Sequence, residues 1–207
     1  LLNIDVVILA AGQGSRMRSN KPKVLHAIGG KPMVQHVIDA AKALGDVSVH
    51  IVVGHGADQV QANLATDSRY SDCHYIEQVE QLGTAHAVLQ VLPALTPGSK
   101  TLILYGDVPL IKTETLRAML EAVNETSMAV LTASLNDATG YGRIVRNDNN
   151  EVLSIVEHKD AKTDQLAINE INTGIMCIPQ SCLAKWLPSI GNDNAQKEYY
   201  LPDVIAM

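Results

Sequence analysis

The feature that most constrains this chain is the apolar run Val6-Val7-Ile8-Leu9, which opens directly into the glycine-bearing loop Ala10-Ala11-Gly12-Gln13-Gly14. A β-branched run with no polar alternation can face water on neither side. It reads as a strand covered on both faces. The pattern returns at 49–53, 101–104, 128–133 and 171–178, with a shorter strand expected over 74–76. Between these runs the period changes. Val34, Val37, Ile38, Ala41 and Leu44 recur at helical spacing, and Gly45 closes that helix. Further helices are expected over 57–64 and 85–92, and from Leu116, Met119, Leu120 and Val123. Strand–helix alternation of this kind predicts an α/β fold, a Rossmann-like, doubly wound, mostly parallel sheet. After about residue 135 the rhythm breaks. Segments 142–146 and 152–156 flank Asn147-Asp148-Asn149-Asn150, a hairpin pattern that adds an antiparallel wall to the parallel core. In such sheets ligands sit beyond the carboxyl ends of the strands.

Composition narrows the function. The length, 207 residues, suits one domain over 1–207 with a small addition. Only 3% of residues are aromatic, so the core is built from Ile, Leu, Val and Ala, and base-stacking platforms are not expected. Sixteen Lys and Arg against 22 Asp and Glu give a net charge of −6. With no basic run, neither nucleic acid nor a membrane surface is an expected partner. Cys73, Cys177 and Cys182 form no CxxC pair and read as buried thiols of a reducing compartment. The apolar stretch 6–11 is too short for a signal peptide or a membrane span, so the expected location is cytoplasmic.

Four segments carry candidate chemistry. In the first loop, Leu9, Ala10, Ala11 and Gly12 let backbone N–H groups approach a phosphate closely, and Arg16 adds a charged fork. The loop is not a full dinucleotide fingerprint, because Met17 stands where a third Gly belongs, which weakens an NAD-dependent reading. Nor is it a Walker A loop. Lys23, stiffened by Pro22, is a candidate phosphate clamp. In the second loop, Gln78 and Gln81 can read a base edge, Gly83 permits close approach, and Thr84 is a candidate cap for the next helix. In the third, Tyr105-Gly106-Asp107 ends an apolar strand, and Asp107 is placed to hold Mg²⁺ together with substrate phosphates. In the fourth, the Glu157 carboxylate can accept from two vicinal sugar hydroxyls, and Asn172 can donate and accept. His86 and His158 show no partner for nucleophilic catalysis.

Taken together, the segments LAAGQGSRM, KPKVL, EQLGTAHA, YGDVPL, TGYGRI, VEHKDA, EINTG and NAQKEYY resemble, in order, the sugar-nucleotide pyrophosphorylases, and among them the uridylyltransferase domain of bifunctional bacterial enzymes. The resemblance covers nearly the whole chain. It implies that Leu9, Ala10, Ala11, Gly12, Gln78, Gln81, Gly83 and Thr84 hold uridine, and that Arg16 and Lys23 bind phosphates. Tyr105 and Gly106 would line the pocket, Asp107 would bind Mg²⁺, and Gly142, Glu157 and Asn172 would hold N-acetylglucosamine. The implied reaction joins UTP and N-acetylglucosamine 1-phosphate into UDP-N-acetylglucosamine and pyrophosphate, for cell-wall precursor synthesis, with Arg16, Lys23 and Asp107 as the catalytic set. The alternatives are a nucleotidyltransferase of different base or sugar preference and a catalytically silent nucleotide-sugar-binding module. Departures from the family pattern are Gln13 for Lys, Ser15 for Thr, Ala85 for Gly, Lys197 for Gly and Pro202 for a frequent Thr. The family's second metal ligand, an Asn, and its left-handed β-helix acetyltransferase domain lie beyond Met207. The expectation is therefore a truncated pyrophosphorylase domain, monomeric although whole family members are trimers.

Overall fold

Val6, Val7 and Ile8 are sealed from solvent because they alternate between two separate cores, one on each face of a single sheet. The computed structural model describes residues 3–12, 14 and 17–207. The first strand, β1, spans Ile4–Leu9, and a short hairpin follows, β2 (Ala27–Ile28) with β3 (Lys31–Pro32). Next come α1 (Met33–Lys42), β4 (Ser48–Val53), α2 (Ala57–Leu64), β5 (His74–Glu77), α3 (Thr84–Val91), β6 (Lys100–Tyr105) and α4 (Thr113–Ala122). The later half holds β7 (Ala129–Ser134), β8 (Arg143–Arg146), β9 (Val152–Val156), α5 (Thr163–Leu166), β10 (Glu170–Pro179) and α6 (Gln180–Trp186).

The sheet begins as β5-β4-β1-β6, all parallel. Val6 and Ile8 face one side with Val34, Val37 and Ile38 of α1 and Leu116 of α4. Val7 and Ile103 face the other with Val88 and Val91 of α3 and Leu183 of α6. Each such side chain contributes about 1.5–3 kcal/mol by leaving water. This double coverage is why the strand sequences show no polar alternation. No helix among the described residues is long and apolar enough to cross a membrane.

One arrangement differs from the sequence expectation. The strand over 128–133 reads as a continuation of the parallel series, but β7 never touches β6. β10 inserts between them, antiparallel to both. β10 also changes neighbour part-way: residues 176–179 pair with β6, and Ile171 pairs with Arg143 of β8. The register shift against β7 lies between Asn172 and Met176. Its freed N–H groups are met locally. Gly174 N donates to Asn172 Oδ1 at 2.9 Å, and Ile175 N donates to Thr173 Oγ1 at 3.3 Å. The bulge thus carries β10 past the end of β6 to meet the β8–β9 hairpin, which stands beyond the carboxyl ends of the parallel strands.

Boundaries elsewhere shift by small amounts. The first helix ends at Lys42, and Gly45 closes the turn after it at φ +119°. The β2–β3 hairpin, α5 and α6 lie outside the expected elements; each is short or has too little apolar periodicity to register. Cys73 and Cys177 are buried thiols, as expected, with pKa values pushed up by burial to about 11 and about 12, whereas Cys182, expected to be buried with them, is only partly so.

Candidate functional site

The ladders of the parallel strands run on into the site. Ala10 N donates to Val52 O, Gly106 N to Leu9 O, and Gln78 N to Val53 O, at 2.9, 3.0 and 2.8 Å. These bonds carry the segments after β1, β5 and β6 to one end of the sheet. There they enclose a cleft of about 340 Å³. Of the candidate residues, Leu9, Ala10, Ala11, Gly12, Lys23, Gln78, Gln81, Gly83, Thr84, Tyr105 and Asp107 all line it. Arg16 lies outside the described residues, as do Gln13 and Ser15.

Lys23 opens a short 3₁₀ turn after Pro22, and its Nζ donates to Asp107 Oδ2. The two groups stand 84 positions apart in sequence. The Asp107 side chain is 25% exposed. Among the described residues no three His, Cys, Asp or Glu side chains cluster as a closed metal site. An accessible carboxylate of this kind suits a magnesium ion that draws most of its oxygens from phosphate and water.

On the opposite wall Gln78 is buried, at 4% exposure. Its Nε2 donates to Gly83 O at 3.2 Å and meets His86 Nδ1 at 3.1 Å. Gln81 Nε2 donates to Gln78 O at 2.9 Å. Among the described residues no group donates to either amide oxygen. Gly83 must be glycine: its φ is +115°, and an added Cβ would lie 2.5 Å from Tyr199 O. The expected cap is corrected here. Gly83, not Thr84, is the N-cap of α3. Thr84 Oγ1 instead accepts from Leu201 N at 3.0 Å, while Ala85 N donates to Tyr199 O at 2.9 Å. The segment around residue 200 thus completes the start of α3 and adds Glu198 to the cleft wall. Glu198 was not a candidate, although it stands within the NAQKEYY run; Gly14, Val24 and Ala87 also line the cleft.

The remaining candidates form a second group beside the cleft rather than in it. Gly106 is buried against Val24, 3.0 Å from its would-be Cβ. Asn172 N donates to Gly142 O at 2.9 Å, and a Cβ on Gly142 would lie 3.0 Å from Glu157 Oε1. These contacts bring Gly142, Glu157 and Asn172 together. Asn172 Oδ1 already accepts from Gly174 N in the β10 bulge, which fixes the amide so that its N–H groups are turned away from that contact. Tyr105 links the two groups. Gly174, at φ +84°, leaves room for its ring, 2.5 Å from a would-be Cβ. Burial, with the charges of Glu157 and Asp107, pushes the Tyr105 phenol well up. Glu157 itself is held above the ordinary carboxylate range by burial and by the negative charges of Asp160, Asp203 and Glu198. It also faces an acidic cavity of about 370 Å³ with Asp160, Asp193 and Asp203.

A cleft at the carboxyl ends of parallel strands, walled by glycine-rich loops with a lysine–aspartate pair at its mouth, defines an α/β protein of the nucleotide-binding type. Residues 6–192 match the family model described as the MobA-like NTP transferase domain, and the chain belongs to that family. It is 56% identical over 204 residues to the Bifunctional protein GlmU of Saccharophagus degradans, covering 99% of this chain and 44% of that protein. Over 206 residues it is 56% identical to the Bifunctional protein GlmU of Pseudomonas syringae pv. syringae, covering 100% and 44%. The chain therefore spans less than half the length of these relatives. Among solved structures, UDP-glucose pyrophosphorylase complexed with UDP-glucose shares the fold at a TM-score of 0.77 and 15% identity, covering 100% of this chain and 86% of that one. HddC from Yersinia pseudotuberculosis complexed with GMP-PN shares it at 0.69 and 20% identity, covering 96% and 83%.

Proposed function

We propose that this chain is the pyrophosphorylase unit of a uridylyltransferase that makes UDP-N-acetylglucosamine and pyrophosphate from UTP and N-acetylglucosamine 1-phosphate. The observation that carries the reading is the convergence of Gln78, Gly83, the 9–12 loop, Lys23 and Asp107 on one cleft. Identity of 56% to the GlmU relatives along the whole chain supports it.

In this reading the Gln78 and Gln81 oxygens accept from the base, and the open backbone at Gly12 admits the phosphates. Gly142, Glu157 and Asn172 hold the sugar, the Glu157 carboxylate accepting from hydroxyls and Asn172 donating. An oxygen of the sugar phosphate bonds to the α-phosphorus in line, the bond from that phosphorus to the bridging oxygen breaks, and pyrophosphate leaves. The attacking phosphate monoester, with a second pKa of about 6, is largely dianionic at neutral pH. It needs no general base. The chain's work is positioning and charge: Lys23, and Arg16 from the same loop region, offset repulsion between two anionic reactants. Magnesium, held at Asp107, would neutralise charge on the triphosphate when bound.

Asp107→Ala should lower pyrophosphate release from UTP, the sugar phosphate and Mg²⁺ by at least about 100-fold, with an unchanged melting curve. Near-normal release by the folded variant would refute the assignment. Tight UTP binding by the parent chain with no pyrophosphate release would instead favour a silent binding module.

A further inference from the structure

Gln78 is the one buried side chain on the base wall whose hydrogen-bonding face can be deduced from the chain alone. The atom 3.2 Å from the Gly83 carbonyl oxygen must be a donor, so it is the amide nitrogen, whichever way the amide is drawn. That nitrogen has two protons. Gly83 takes one, and the other points to His86 Nδ1 at 3.1 Å. His86 Nδ1 is therefore bare, and the neutral ring carries its proton on Nε2. Gln90 makes a rival demand. Its Nε2 lies 3.2 Å from His86 Nε2 and donates to His86 O at 3.1 Å. A neutral imidazole cannot accept at both nitrogens. Gln90 is half-exposed and can turn its amide to water, whereas Gln78 is sealed, so the Gln78 contact decides the tautomer.

We propose that His86, which does not itself line the cleft, is a positioning residue that, together with the Gly83 carbonyl, holds Gln78 as an acceptor and so strengthens the cleft's selection of an imide base over cytosine. With both amide protons engaged behind it, Gln78 offers a ligand only Oε1. Uracil presents an N3–H donor to such a group; cytosine presents a bare N3, and two acceptors repel. A ring nitrogen that takes the second amide proton, beside the Gly83 carbonyl that takes the first, thereby becomes a determinant of base choice without touching the base. The inference rests on the uridine reading above and adds to it the residue that enforces the choice.

Dissociation constants for UTP and CTP, measured calorimetrically with Mg²⁺ on the parent chain, His86→Leu and His86→Asn, test it. The parent chain should prefer UTP by at least about tenfold, the discrimination expected when one buried hydrogen bond is made or lost. His86→Leu removes one of the two acceptors that hold the amide and leaves the Gly83 carbonyl alone, so UTP binding should weaken and the UTP/CTP ratio should fall at least about threefold. His86→Asn sets a side-chain oxygen near the position of Nδ1 and should keep most of the ratio. A folded Leu variant with the parent ratio, or an Asn variant that loses as much as Leu, would overturn the role of His86 while leaving the uridine reading intact. A parent chain without preference for UTP would overturn both. Nitrogen NMR of His86 in the parent chain gives a check independent of the variants' folding: the Nε2–H tautomer supports the proposal, and the Nδ1–H tautomer contradicts it.

Discussion

Glu157 shows how a single side chain would trade stability for its proposed task. It is partly buried, no described side chain donates a hydrogen bond to it, and three carboxylates surround it, which is why its pKa is held up. For a carboxylate with a raised folded-state pKa the sign is adverse: the charged form destabilises the fold at neutral pH, and the penalty is relieved as pH falls and Glu157 protonates. Glu157→Gln should therefore raise the melting temperature at pH 7 by a few degrees, and the gain should fade in acid. The same substitution should weaken sugar-phosphate binding about tenfold or more, since a carboxylate bonds hydroxyls better than an amide does. In the parent chain that binding should fall off in acid at a higher pH than an ordinary glutamate would give. Paired melting and binding curves check all of this; a lower melting temperature at pH 7 would contradict it. The sequence carried the identity of Glu157 and the chemistry of a carboxylate on sugar hydroxyls. Asp160 is a near neighbour in sequence, but the crowding by Asp203 and Glu198 was not legible, because those residues approach only when the segment around 200 folds back.

At the scale of elements, β10 organises the site. Its bulge lets one strand serve two neighbours, β6 in the core and β8 at the wall. The apolar run of 171–178 showed the strand and the Asn turn showed the hairpin. The insertion between β6 and β7 was hidden, because strand order in a sheet leaves no local pattern. The wall is fastened to β10 by Arg146, whose Nε and Nη2 both donate to Glu170 at 2.8 Å. This fork lowers the Glu170 pKa to about 2. A depressed carboxylate contributes stability above its unfolded value, about 4.3, and loses it as pH falls toward 2. Both side chains are partly exposed, so the pair is worth only about 1 kcal/mol at neutral pH. Glu170→Gln should lose that amount in denaturant melts at pH 7, and the difference from the parent chain should shrink steadily between pH 4.5 and pH 2. A difference that stays constant across that interval would show that the charge plays no part.

At the scale of the whole molecule, the fold turns four apolar strands into a way of gathering loops distant in sequence. Lys23 and Asp107 touch across 84 positions because β1 and β6 are parallel neighbours whose ends, Leu9 and Tyr105, are in register. The sequence made the strands and the loop chemistry legible, since buried parallel strands and glycine turns each leave local signatures. It did not show that residues 198–201 seal the start of α3, because a backbone-to-backbone contact such as Tyr199 on Gly83 depends on no particular side chain at 199. The central claim is that the cleft at the strand ends takes the nucleotide and the group of side chains beside it takes the sugar. A crystal structure of the chain with UDP-N-acetylglucosamine and Mg²⁺ tests it most directly. The account predicts uracil against Gln78 and Gly83, phosphates beside Gly12 and Lys23, and sugar hydroxyls on Glu157 and Asn172. Uracil bound in the acidic cavity beside Asp193, or at the opposite end of the sheet near His50, would contradict it.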